Sequence, residues 1–162
     1  MAGVERVIVD GSNLAFALAR DAGRGGGPRP QVAVIAAVRA AFPAGVRVEV
    51  IFDGAADSVG IGRSGTMARA ASNLYVEHAG RLSADRVIEG TVAAQLSLDG
   101  PAGTWAILVV TDDRELRGLV QARGARVAGT AWLAGRVARI GTAGGRSGTA
   151  IGHPRPPRGP RC

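Results

Sequence analysis

The 162-residue sequence has no lysine, one cysteine, two histidines and two methionines, and aromatic side chains make up only 4% of it. Each shortage excludes something. A single cysteine, Cys162, allows no intramolecular disulfide, so a reducing, cytoplasmic compartment is expected. No cluster of Cys and His has zinc-ligand spacing, and there is no Walker loop, no dinucleotide fingerprint and no signature of a Ser or Cys nucleophile. The most hydrophobic run, TWAILVV at 104–110, is far too short to cross a bilayer, and MAGVERVIVDG at the start is too weakly apolar for a signal peptide. No membrane partner is expected. The few aromatic residues, Phe16, Phe42, Trp105 and Trp132 among them, read as core or helix-packing side chains, which leaves few platforms for stacking on bases.

What is plentiful is arginine. All 20 basic residues are Arg, and the net charge is +7. A GC-rich coding bias accounts for much of that preference. Arg146, Arg155, Arg158 and Arg161 lie in an acid-free tail, so the rest of the chain carries only +3. That balance permits attraction to a polyanion such as nucleic acid without establishing it. Residues 141–162 are Gly, Pro and Arg with almost no large apolar side chain, and a disordered tail is expected there. Residues 1–140 read as one domain with an ample core.

Within that domain, strands and helices alternate. Residues 5–10 form a first strand, followed by NLAFALAR with Leu14 and Leu18 at helical spacing. Pro30 opens a helix that places Ile35, Val38 and Phe42 on one face. VRVEVIFDG at 46–54 is a second strand, and residues 54–73 read as a long loop with a short helix near Thr66–Ala71. LYVEH is a short strand, with His78 as a satisfied, half-buried residue. Ser83 caps the helix ADRVIEGTVAAQL. TWAILVV suits a central strand covered on both sides, and a helix from Arg114 to Arg123 turns Leu116, Leu119 and Val120 inward. ARVAG and TAWLAGRVARI complete the series. This order implies an α/β fold, a parallel sheet between two helical layers with right-handed crossovers.

In such sheets, sites form beyond the carboxyl ends of the strands. VIVDG, IFDG and VVTDD each end a strand on an acid, so Asp10, Asp53, Asp112 and Asp113 are expected along one edge, joined by Asp85 from the first turn of its helix. Each acid also has a structural reading. Asp85 complements a helix dipole, Asp112 with Glu115 has capping-box spacing, and Asn13 fits an Asx turn. Taken together, carboxylates about 5 Å apart repel by roughly 3 kcal/mol per pair at an effective dielectric near 20, and such a cluster favours a cation. Oxygen-only ligands point to Mg²⁺ or Mn²⁺. Gly11 is expected to let the chain turn sharply after Asp10.

VIVDGSNLA, VEVIFDGAAD, SADRVIEGTV and LVVTDDRELRGLVQARGARVAG, in this order over residues 5–140, resemble the motifs of the NYN domain family of PIN-like metal-dependent ribonucleases. The resemblance implies a PIN-like three-layer α/β/α fold and RNA phosphodiester hydrolysis at a Mg²⁺ or Mn²⁺ site. It places Asp10, Asp85 and Asp113 as metal ligands and catalytic acids, with Asp53 assisting. Asp112 stands where the family often has Ser, and is either an extra ligand or a cap. Asn13, with Ser12 or Thr111, would orient water or phosphate, and Arg63, Arg69, Arg81 and Arg86 would grip the RNA backbone. The partner expected is RNA, the oligomeric state a monomer or homodimer. The alternative is a catalytically silent RNA-binding or protein-interaction module on the same fold. A receiver-type signalling domain also groups acids at strand ends, but it requires a lysine that this chain lacks.

Overall fold

The computed structural model describes residues 2–21, 30–55, 65 and 67–144. In chain order the elements are β1 (Arg6–Asp10), α1 (Gly11–Asp21), α2 (Pro30–Ala41), β2 (Arg47–Phe52), β3 (Ala68–Arg69), β4 (Leu74–His78), α3 (Ala84–Trp105), β5 (Ile107–Val110), α4 (Arg114–Ala122), β6 (Arg126–Ala128) and α5 (Thr130–Gly144). Six strands make one sheet in the order β3-β4-β2-β1-β5-β6. Every pairing is parallel except that of β3 with β4.

The apolar alternation of the strands sorts the core into two halves. Val7, Val9, Val48, Val50 and Val110 face Leu14 of α1, Val34 and Val38 of α2, and Leu133 of α5. Ile8, Ile51, Ile107 and Val109 face Ile88 and Val92 of α3 and Leu116 and Val120 of α4. Three helices therefore cover one face and two the other. β1 lies at the centre, with β2 on one side and β5 on the other, so the strand order reverses at β1. That switch point is where an open α/β sheet leaves a crevice. Asp10 is its last residue.

Several expected elements differ in detail. The short helix near 66–71 is instead β3, two residues paired antiparallel with β4, since the edge of β4 offers backbone partners while a weakly periodic segment has no apolar face to hold a helix on the core. The segment 56–64 and Thr66 lie outside the described residues. α3 runs well past Leu96 to Asp99, breaks at Gly100 (φ +66°), and resumes as one turn from Pro101 to Trp105. Thr104 and Trp105 therefore belong to a helix, and the central strand starts only at Ile107. Leu119 is 37% exposed where an inward position was expected, while Leu116 and Val120 are buried. His78 is fully buried and stacks on Phe52 with ring centroids 5.5 Å apart. α5 continues to Gly144, so residues 141–144 of the expected disordered tail are helical, and the rest of it, 145–162, lies outside the described residues. Among the described residues, no helix is long and apolar enough to cross a membrane.

Candidate active site

The site is built outward from Asp10. Its parity with Ile8 turns the carboxylate to the α3–α4 face, and only 4% of the residue is exposed. The two donors that reach it are neutral: the Asn13 backbone N–H to Oδ1 at 2.9 Å and the Thr111 hydroxyl to Oδ2 at 3.1 Å. Burial, with smaller contributions from the charges of Asp85 and Asp53, outweighs these hydrogen bonds and pushes the Asp10 carboxyl up to about 6.

Gly11 begins α1 directly, and its backbone needs no positive φ. Its requirement is closeness instead of a sharp turn. A Cβ there would lie 2.7 Å from the Phe52 ring and 2.8 Å from Val50 Cγ1. This contact seats the N-terminus of α1 on the end of β2. From that position Ser12 Oγ accepts the Asp53 N–H at 2.9 Å, and Asn13 Oδ1 accepts the Asp112 N–H at 3.1 Å. One helical turn thus ties the ends of β1, β2 and β5 together. Asn13 makes no Asx turn of its own; its side chain joins α1 to the loop after β5.

The flanking helices deliver the other acids. Asp53 Oδ1 accepts the Ala84 N–H at 2.7 Å, which draws the start of α3 to the end of β2. Ser83 caps that helix by accepting the Arg86 N–H at 3.3 Å. Asp85, in the first turn, is half-buried, and no hydrogen bond or ion pair reaches its carboxylate among the described residues. Burial raises its pKa, as do the charges of Asp113, Asp53 and Glu115. Glu115 is an acid that the motif reading placed only in a capping box. Its place in the first turn of a helix opening at the acidic edge is the signal that was available.

Asp112 and Asp113 divide their work. Asp113 Oδ1 accepts the Leu116 N–H at 2.8 Å and caps α4, and its own N–H bonds Thr111 Oγ1 at 3.1 Å. Thr111 is therefore a relay between Asp10 and Asp113. Asp112 turns the other way and caps α5, with Oδ1 accepting the Thr130 N–H at 2.9 Å and Oδ2 bonded to the Thr130 hydroxyl. Both its oxygens are occupied, which favours the cap over the extra ligand and corrects the expected Asp112–Glu115 capping box.

The arginines separate in the same way. Arg69 donates to the Ala71 and Ser72 carbonyls at 3.2 and 2.8 Å, in the turn before the amino end of β4. It staples that turn at the opposite end of the sheet from Asp10, a correction to its expected place beside the acids. Arg86 pairs with Glu89 at 3.2 Å, and Glu89 also holds Arg123 at 2.7 Å. Arg81 is exposed on the turn just before α3, and Arg63 lies outside the described residues. Arg117, which the motifs did not mark, donates to the Thr111 carbonyl at 3.4 Å. It also lines an open cleft of about 430 Å³ with Arg126, Gly129 and Trp132, which runs along β6 and contains none of the acids.

The charges of Asp85 and Asp53 bear on Asp10, and those of Asp113, Asp53 and Glu115 bear on Asp85, at one sheet edge with all-oxygen donors and no paired cation among the described residues. This donor chemistry fits a hard divalent ion. The fit is one of charge and atom type: among the described residues, no three His, Cys, Asp or Glu side chains are grouped closely enough to hold one ion.

No protein-family model matches the sequence, and no curated protein matches it. The crystal structures similar in fold include two of one protein. Rae1 (YacP) from Bacillus subtilis gives a TM-score of 0.63 over 88% of this chain and 79% of that one, and a single-residue mutant of the same protein gives 0.61 over 86% and 79%. Sequence identity to each is 20%. The likeness is one of fold, a three-layer α/β/α arrangement around a mainly parallel sheet.

Proposed function

We propose that this chain is a metal-dependent ribonuclease that hydrolyses RNA phosphodiester bonds at the carboxyl edge of its sheet. The observation that carries the reading is Asp10: a buried acid at the switch point, bonded only by neutral donors and pushed up to about 6 with other carboxylates beside it. A fold that needed only stability would place a guanidinium there or an apolar side chain. The PIN-like fold supports the same reading.

In this proposal Asp10, Asp53, Asp85 and Asp113 hold Mg²⁺ or Mn²⁺, and Glu115 adds negative charge beside Asp85. The ion's contribution when bound is to neutralise charge on the phosphate and to lower the pKa of water. The protein's own contribution is positional. Thr111 fixes the Asp10 and Asp113 pair through its hydroxyl, and Ser12 fixes the Asp53 backbone. Asn13 joins the first and fifth strand ends through its amide oxygen, and in this reading its amide nitrogen would orient water or a phosphate oxygen. Arg81 and Arg86, exposed beside the start of α3, supply cations for the backbone of the incoming strand.

Incubating the purified full chain with single-stranded and structured RNA in Mn²⁺ or Mg²⁺ tests this. Cleavage that disappears in an Asp10→Asn, Asp113→Asn double variant is expected. Cleavage no greater than that of the double variant would overturn the proposal, and cleavage of DNA alone would make the protein a deoxyribonuclease.

The spread of the carboxylates favours one second reading, a catalytically silent RNA-binding or protein-interaction module. Titrated Mn²⁺ separates the two. An ion at 100 times its dissociation constant stabilises the fold by about 2.7 kcal/mol, whereas the silent module gains nothing.

A further inference from the structure

Phe16 stands apart from the other large side chains of α1. Leu14 is buried in the core, and Ala15 and Leu18 pack against it, but Phe16 is 80% exposed. It was expected inside and is instead on the surface. At about 100° per residue, Phe16 falls opposite the Leu14–Leu18 face, one turn beyond Ser12 and Asn13 and one turn before the exposed Arg20. Ser12 and Asn13 are the residues that tie α1 to Asp53 and Asp112. A stripe about 12 Å long therefore runs from the acidic edge down the outer face of α1: polar residues, an aromatic ring, then a guanidinium.

We infer that this stripe is a track for single-stranded RNA leaving or entering the acidic edge, with Phe16 stacking on a base and Arg20 contacting a phosphate. The inference rests on the ribonuclease reading above and extends it to a substrate class, an unpaired strand. Three observations select this occupant. Bases and phosphates alternate along a strand, and on the helix one aromatic face is followed a turn later by one cation. The Phe16 ring has no aromatic or cation partner among the described residues, whereas the exposed Trp105 is covered by Arg126 at 5.4 Å. The exposed apolar surface on this face is one ring beside the small Ala19, far below the roughly 800 Å² per partner of a stable protein interface.

The test uses the full chain and a single-stranded oligoribonucleotide carrying 2-aminopurine, in EDTA so that binding is read without cleavage. Wild-type protein is expected to bind it and quench the fluorophore. Phe16→Ala should weaken binding by about 5- to 150-fold, the range that removal of one stacking platform produces, and should abolish the quench. Phe16→Trp should restore both, and Phe16→Leu, equally apolar but without a π face, should restore neither. Arg20→Ala should lower the slope of log affinity against log salt by about 0.7. An 80% exposed side chain makes no core contact, so these variants should melt with the wild type. Wild-type affinity in Phe16→Ala, full rescue by Phe16→Leu, or no binding by the wild type would each overturn the track. If cleavage in Mn²⁺ nevertheless persists and depends on Asp10, the ribonuclease reading stands without it.

Discussion

Two buried acids, Asp10 and Glu49, lie on neighbouring strands and face the same side of the sheet, yet they are surrounded in opposite ways. Glu49 is fully buried and grips two guanidiniums, Arg6 at 2.6 Å and Arg47 at 2.5 Å, with Gln95 of α3 holding the far side of Arg6. Asp10 has a backbone N–H, a hydroxyl and further carboxylates around it. The first acid is closed and balanced in the sheet's amino half. The second is left charged and unbalanced at its carboxyl end. Burial alone does not single out a candidate functional acid; burial without a counter-charge does.

Removing the charge from each acid should break this contrast in opposite directions. Glu49→Gln leaves Arg6 and Arg47 without their carboxylate and should destabilise the protein by about 3 kcal/mol, toward the low end for a broken buried pair because both guanidiniums reach solvent. Chemical denaturation would measure it.

Asp10→Asn should do the reverse, stabilising the fold by up to about 3 kcal/mol at neutral pH while abolishing cleavage. The amide keeps an acceptor for the Asn13 N–H and can donate to the Thr111 hydroxyl oxygen. The sign follows from the folded pKa of about 6 against the ordinary 3.8. The folded state binds the proton more tightly, so Asp10 costs stability above pH 6. That cost shrinks as pH falls from 6 toward 4. Melting curves of wild type and variant should therefore converge over that range, and parallel curves would contradict the assignment.

Smaller effects sharpen the comparison. Asp112→Ala should cost about 1 kcal/mol through loss of the α5 cap, measured by thermal melting, and should spare the Mn²⁺-induced stabilisation. Asp113→Ala should cost a similar amount through the α4 cap and also weaken the Mn²⁺ response. Arg86→Ala should change stability by less than about 0.5 kcal/mol, since its guanidinium is largely exposed and Glu89 retains Arg123.

Much of the fold was legible because strand and helix periods are written in the apolar pattern. The parallel sheet, the helix opened by Pro30, the Ser83 cap and the short strand at 126–128 all follow from local rules. The misplacements share a cause. Thr104 and Trp105 look like strand residues until Pro101 commits them to a helical turn, and Ala68–Arg69 becomes a strand only because β4 offers an edge. Phe16 was assigned inward from residue type, but helical phase sets it outside, whereas Leu119 was assigned inward from helical spacing and lies at the rim of the stripe that Leu116 and Val120 bury. At the site, the strand-ending acids could be read from VIVDG, IFDG and VVTDD. Arg69 could not be separated from Arg81 without knowing which end of β4 each occupies.

By itself the sequence determined the alternation of strands and helices and the placement of acids at strand ends, since both depend on neighbours a few residues away. Only the tertiary structure decided which acid does what. Asp112 and Asp113 are adjacent in sequence, and their roles part because one faces Thr130 at the start of α5 and the other the first turn of α4. Gly11 is likewise required by Phe52, 41 residues later, whose ring occupies the space a Cβ would need. Such assignments depend on distances between segments that the linear order does not contain.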